Sequence, residues 1–376
     1  MGLLSTATIA TIGLGSKALL HAPGSCSLTV NGLDILTKAL DSGRSVITVA
    51  NHISTVDDPV AWGILPTRYY LRPRTMRWAL GASDIMFTNP VFSKFFRLGQ
   101  VHETFRGKGI YQPAVDAAID TLNTTGGWIH LFGEGKVNHP STYPIDPVTR
   151  KVHLPRFKWG VGRILMESTP TSNNTNTNTT STSNSNPNPN NNNNTAPPPP
   201  RPPPPPPPPR PPPPPRPPLI IPMWLSGFDA LMPEGRAAPW KYAPRFFAAP
   251  RVRVGVAFGE AVEGAEVVRA AWRAVGGGRG GGAGGGAGRG GGGGAGGGGG
   301  GGEGGGGGAG GDMGWVVGDV DEEAVARVRS EITAAVQKAV EDLGRTVDGA
   351  MLGRVVADSD LDSDSRSDSR STEPDN

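Results

Sequence analysis

A single cysteine, Cys26, stands in 376 residues, which excludes an internal disulfide and a cysteine-based zinc site. No acidic residue occurs before Asp34 and no arginine before Arg44. The missing arginine argues against a mitochondrial transit peptide, and the lack of any basic residue ahead of the first apolar run argues against a secretory signal. Net charge is also scarce, at a formal +3. From Asp358 onward the tail holds seven acids and two arginines, and the proline and glycine tracts hold five arginines and two acids. A mild cationic excess is left for the remainder. It favours an anionic lipid surface and is too small to call for nucleic acid.

Proline and glycine are abundant, and they are concentrated. Of 38 prolines and 56 glycines, most lie in two tracts. Residues 169–218 run from Ser/Thr/Asn repeats into nearly pure proline, and 276–312 are nearly all glycine. Neither tract can bury enough apolar surface to offset its ordering entropy, so both are expected to be disordered, as is the acidic tail 358–376. The foldable chain is then 28–168 plus 219–266, with a separate amphipathic helix over 319–345. Pro-Pro-Arg-Pro-Pro-Pro segments fit SH3-like grooves, and the Arg-Gly runs could touch RNA, though both tracts lack the aromatics such segments use.

Residues 1–27 are apolar, with Lys17 the only charge before His21. They read as a membrane-contacting segment. Gly13, Gly15, the threonines and the short length weigh toward lying in the interface over spanning the bilayer. Met1-Gly-Leu-Leu-Ser-Thr6 also matches the short myristoylation pattern at Gly2.

The run Val46-Ile-Thr-Val-Ala-Asn-His-Ile-Ser-Thr-Val-Asp-Asp-Pro59 ends a buried strand in a histidine and sets a carboxylate five residues later. Pro59 suits the first turn of a helix capped by Asp57 or Asp58 and running to about Leu65. On a regular helix His52 and Asp57 would stand about 140° apart, so their contact needs the loop between strand and helix. An imidazole, with an ordinary pKa of about 6.5, takes a proton from a hydroxyl near neutral pH, and a carboxylate on its other nitrogen fixes the tautomer. Simple helix capping is the alternative.

Further along, Met76–Ala82 reads as a strand or short buried element, Tyr111–Leu122 as a helix, and Trp128–Phe132 as a strand ending in Gly133-Glu-Gly-Lys136. After Asn89-Pro90, Phe92, Phe95 and Phe96 fall at helical spacing beside Lys94 and Arg97, a stripe for the core or for lipid headgroups. Leu219–Leu225 and Val252–Val256 add two strands to the same sheet. Val325, Val328, Ile332, Val336, Val340 and Leu343 line one face of the last helix, with Gly344 as its stop signal. The fold expected is α/β, a mixed sheet flanked by helices, with sites at strand ends.

His52/Asp57, Arg106-Gly107, Phe132-Gly-Glu-Gly-Lys136 and Ile221-Pro-Met-Trp224, in that order, resemble the four motifs of the glycerophospholipid acyltransferase family. The longer blocks Asn51–Leu65, Arg106–Gln112, Gly127–Asn138 and Phe157–Arg163 are similar to its transacylase branch. The resemblance implies a single acyltransferase domain, interrupted by the insertions. It would move an acyl chain from a phospholipid to a lysophospholipid without coenzyme A, with no metal and no cofactor, remodelling cardiolipin from monolysocardiolipin. The expected setting is peripheral on mitochondrial membranes, facing the intermembrane space.

Carried over by position, His52 is the general base and Asp57 its orienting partner. Arg106 grips phosphate, with Lys108 in support. In the Glu134-Gly135 turn, the small Gly133 and Gly135 let backbone amides approach a phosphate or glycerol group, and Lys136 adds charge. Pro222 shapes the pocket. Two positions depart from the pattern: Gly133 replaces the usual proline and loosens the turn, and Lys108 replaces an acid. No serine sits in a nucleophile elbow, which favours direct transfer over a covalent acyl-enzyme. A coenzyme A-dependent lysophospholipid or lysophosphatidate acyltransferase would share all four motifs, and an interaction protein built on the biased tracts is a more distant alternative.

Overall fold

The computed structural model describes residues 2–158, 160–169, 216–233, 236, 244–247, 251–277 and 321–352. The expected insertions 169–218 and 276–312 and the tail 358–376, with the SH3-like segments and Arg-Gly runs they carry, lie almost wholly outside these residues. Strands run β1 Ser27–Asn31, β2 Val46–Ala50, β3 Arg77–Ala82, β4 Val101–Thr104, β5 Trp128–Phe132, β6 Leu219–Ser226, β7 Arg253–Phe258 and β8 Val262–Glu263. The helices are α1 Leu3–His21, α2 Leu33–Asp41, α3 Asp57–Ala61, α4 Ser83–Met86, α5 Pro90–Leu98, α6 Pro113–Thr124, α7 Gly160–Glu167, α8 Phe228–Leu231, α9 Gly264–Gly277, α10 Glu322–Val347 and α11 Gly349–Leu352.

The strands form one mixed sheet in the order β1-β7-β6-β2-β5-β3-β4, with β8 also on β6. From β6 to β4 the neighbours are parallel, whereas β7 runs antiparallel to β6. β2 is buried along its whole length, as its unbroken Val-Ile-Thr-Val-Ala run requires of a central parallel strand. Pro222 sits in β6, also central, where a missing amide would normally cost a ladder bond. Its position explains the tolerance. β8 pairs with Leu219 and Ile220, β7 begins pairing at Met223, and Pro222 falls at the seam between them.

Several sequence expectations change. α3 starts at Asp57 and ends at Ala61, so Pro59 is its third residue, and a 3-10 turn, Trp62–Ile64, continues from it. The helix expected from Tyr111 begins at Pro113. α10 runs through Gly344 to Val347. That glycine is no stop signal: a Cβ there would stand 2.6 Å from Trp224 Cε3, so it lets the helix approach β6. β1, α2 and α9 lay outside the expected elements.

α5 forms as expected, with Asn89 Oδ1 accepting the Phe92 amide at 2.9 Å. Its stripe does not enter the core, however, since Phe92 is 52% and Phe95 44% exposed. α1 is long and apolar enough to cross a membrane, yet it is docked along the domain. Ser5, Ile9, Gly13, Ser16 and Leu20, spaced by three or four, form its buried face. Ser5 Oγ donates to Leu98 O at 2.7 Å, Ser16 Oγ to Pro59 O at 2.8 Å and Lys17 Nζ to Leu65 O at 3.1 Å. The opposite face leaves Leu3, Leu4, Leu14 and Leu19 in the open.

Candidate active site

Parallel strands place their carboxyl ends on one edge of the sheet, and every candidate site residue follows such an end. Ala50 pairs with Phe132, so His52 and Glu134, each two residues further on, emerge side by side. Arg106 follows β4, three strands from β2, roughly 14 Å across at about 4.8 Å per strand.

His52 Nδ1 lies 2.9 Å from Asp57 Oδ2. The same oxygen accepts the amides of Ile53 at 2.7 Å and Ser54 at 2.8 Å. Asp57 therefore reaches back to close the loop after β2 and does not cap forward into its helix, which has Val56 at the N-cap. Burial pushes the Asp57 carboxyl's pKa up, opposed by the His52 hydrogen bond and charge and by the two amides. With Oδ2 serving as acceptor, Nδ1 carries the proton, and Nε2 is left as the imidazole's basic nitrogen. Nε2 has no protein partner among the described residues. The ring stacks on Phe132 at 3.9 Å between centroids and 15° between planes.

Asp58, whose task the sequence did not disclose, braces the loop from below. Its carboxylate accepts Arg77 Nε at 2.9 Å, also takes Arg77 Nη2, and receives Trp62 Nε1 at 3.1 Å. Burial works to raise its pKa, but the Arg77 guanidinium outweighs that and holds the carboxyl below its ordinary range. Trp62 meets Trp128 and His130 edge-on. His130 bonds Thr48 Oγ1 through Nδ1 at 2.8 Å and is driven by burial to a pKa of about 3, so it stays neutral. Asn51 grips Leu225 by both backbone groups, at 2.9 and 2.8 Å, which ties the end of β2 to β6.

The Gly133–Lys136 turn departs from expectation. Gly133 donates its amide to Ala50 O at 3.2 Å and Gly135 to Phe132 O at 3.1 Å, so neither amide is left for a phosphate. Glu134 is 2% exposed and its carboxylate turns inward. Oε1 accepts the His52 amide at 2.9 Å, and Oε2 accepts Asn138 Nδ2. Burial raises its pKa to about 7. Nor is Gly133 a loose joint, because a Cβ there would stand 2.3 Å from the Phe157 ring. Only Lys136 of this turn presents its side chain to solvent.

Arg106 and Lys108 are exposed, in a loop where Gly107 and Gly109 both take positive φ. Arg106 Nη1 pairs with Asp84 Oδ2 at 3.2 Å. The loop is nonetheless braced: Gln112 spans it, accepting from the Phe105 amide at 2.8 Å and donating to Gly109 O at 2.7 Å, and Arg163 Nη1 donates to Ile110 O at 2.8 Å. His52, Asp57 and Glu134 thus meet directly, while Arg106, Lys108 and Lys136 share the edge without touching them.

Residues 27–176 match the family model described as Acyltransferase. Among curated proteins, one named Taffazin from Dictyostelium discoideum is 41% identical over 145 residues, covering 38% of this chain and 47% of that protein. An Arabidopsis thaliana N-acylphosphatidylethanolamine synthase is 39% identical over 146 residues, covering 38% and 48%. Tafazzin of Drosophila melanogaster is 42% identical over 136 residues, covering 36% and 32%. The chain spans less than half the length of each of these relatives.

Proposed function

From the match of residues 27–176 to the acyltransferase family model and the similarity to relatives named tafazzin, we propose that this chain is an O-acyltransferase of that family, acting between phospholipids. The observation that carries this reading is the His52–Asp57 pair at the sheet's carboxyl edge, with Nε2 free to act as base. Nε2 takes the proton of a lysophospholipid hydroxyl as that oxygen attacks the ester carbonyl of a donor lipid. The tetrahedral intermediate then breaks its bond to the donor's glycerol oxygen, and His52 returns the proton to it. One ester forms, one breaks, and no acyl-enzyme, metal or cofactor is needed. Asp57 keeps the tautomer and steadies the imidazolium.

Arg106, Lys108 and Lys136 are exposed cations on this edge and candidates to meet lipid phosphates, Arg106 by exchanging its pair with Asp84. That exposed pair costs little to give up, about 0–1 kcal/mol. Membrane contact follows from the neighbouring surface. Leu3, Leu4, Leu14 and Leu19 of α1 and Val91, Phe92 and Phe95 of α5 are exposed beside Lys94 and Arg97, which suits burial at the headgroup boundary. The docked face of α1 supports attachment in the interface over spanning.

Donor and setting are the finer part of the proposal: transfer without coenzyme A, cardiolipin remodelling from monolysocardiolipin, and a mitochondrial membrane facing the intermembrane space. Incubation with vesicles holding an acyl-labelled phospholipid and a lysophospholipid, without coenzyme A, tests the donor. Label on the lysolipid is expected. Transfer that begins only when acyl-coenzyme A is added would establish the coenzyme A-dependent reading instead.

A further inference from the structure

The loop that carries His52 is fixed on its far side by Asp57, and its near side has an equally specific attachment. His52 donates its amide to Glu134 Oε1 at 2.9 Å, and its carbonyl accepts the Asn138 amide at 2.8 Å. Asn138 Nδ2 then bonds Glu134 Oε2, and also reaches Lys136 O at 3.3 Å. The two peptide groups flanking the His52 Cα are therefore held by two residues of one turn, and those two residues are tied to each other.

Burial makes the arrangement demanding. Glu134 is 2% and Asn138 9% exposed, so neither carboxylate oxygen is offered to a ligand in solution. A carboxylate that accepts two hydrogen bonds away from water is spent on positioning.

We propose that Glu134 and Asn138 are positioning residues that clamp the backbone of His52, and that Glu134 is not a ligand of the lipid. Phe157 completes the device. Its ring covers Gly133, and its amide is held by Gln337 Oε1 of α10 at 3.0 Å. The turn carrying the clamp is thus packed from below by a segment that the last helix holds in place. Glu134 sets where the imidazole stands and Asp57 sets how it is turned. This role rests on His52 being the base of the proposed transfer, but the clamp itself can be observed without turnover.

Two readouts on the full-length chain test it: kcat and KM for the lysolipid, and hydrogen exchange of the amides over residues 50–56. In Glu134→Ala, kcat is expected to fall by ~100-fold, the usual scale for a misplaced catalytic group, with KM changed by less than about 2-fold. Exchange over 50–56 should quicken by about tenfold as the His52 amide loses its acceptor. Glu134→Gln keeps an acceptor for that amide and should restore most of kcat. A raised KM with unchanged kcat would assign the turn to lipid binding and overturn the proposal, as would unaltered exchange at His52. Should Glu134→Ala fail to fold, Asn138→Ala, which removes only the cross-brace, carries the same expectations at smaller size. If the wild-type chain transfers no acyl group, the proposed function fails and the exchange arm still decides the clamp.

Discussion

Gly133 lies against the ring of Phe157 so closely that a Cβ would stand 2.3 Å from Phe157 Cδ2, 2.4 Å from Cε2 and 2.5 Å from Cγ. Phe157 is buried to 1% exposure and cannot turn away. Gly133→Ala is therefore expected to destabilise the fold by about 1–3 kcal/mol, the range for overpacking a full core. Gly133→Pro, the residue usual in this motif, would also lose the amide bond to Ala50 O and should cost more. Denaturant melts check both. Phe157→Leu combined with Gly133→Ala should cost less than the sum of the single changes, because the two sites share one volume.

The C-terminal helix makes a second contact of this kind. A Cβ at Gly344 would stand 2.6 Å from Trp224 Cε3, and Trp224 is 1% exposed. Gly344→Ala, although it favours helix by propensity, is expected to lower stability by about 1–3 kcal/mol, read as a fall in melting temperature.

Glu134 gives stability a pH dependence. Burial raises its pKa from 4.5 to about 7, so between these values the folded chain holds a proton that the unfolded chain has released. The contribution is fully present below 4.5 and is lost as pH rises through about 7. Glu134→Gln cannot ionise. Its melting temperature relative to the wild type should therefore rise from about pH 5 to about pH 8, whatever the offset at the acid end.

The exposed half of the α5 stripe should matter at a lipid surface. Fully burying a Phe side chain is worth about 1.5–3 kcal/mol, and these two are about half exposed. Phe92→Ser with Phe95→Ser should weaken partition onto anionic vesicles by ~10- to 100-fold, measured by co-sedimentation of the folded variant.

The sheet and the His52–Asp57 contact were legible because they rest on local signals. Val46–Ala50 is an apolar run that only a buried strand accommodates, and the five-residue spacing of His52 and Asp57 demanded the loop that the structure contains. The α10 face was legible for the same reason. What stayed hidden depends on contacts between distant segments. Asp58 with Arg77, Glu134 with the His52 amide, and Glu341, whose Oε1 accepts the Leu154 amide at 2.8 Å, are partners no window of sequence brings together. Glycines misled in both directions. By sequence Gly344 fits a helix stop and Gly133 a loosened turn, whereas each is small because an aromatic ring lies on it. The α5 stripe was ambiguous in principle, since a core face and a membrane face share one periodicity.

The most direct measurement compares acyl transfer by wild-type chain and His52→Ala, from labelled phospholipid to lysophospholipid on the same vesicles without coenzyme A, with co-sedimentation recorded in parallel. Loss of the base should lower the rate by ~10²- to 10⁴-fold while vesicle binding is retained. A His52→Ala chain that transfers label at the wild-type rate would contradict the mechanism.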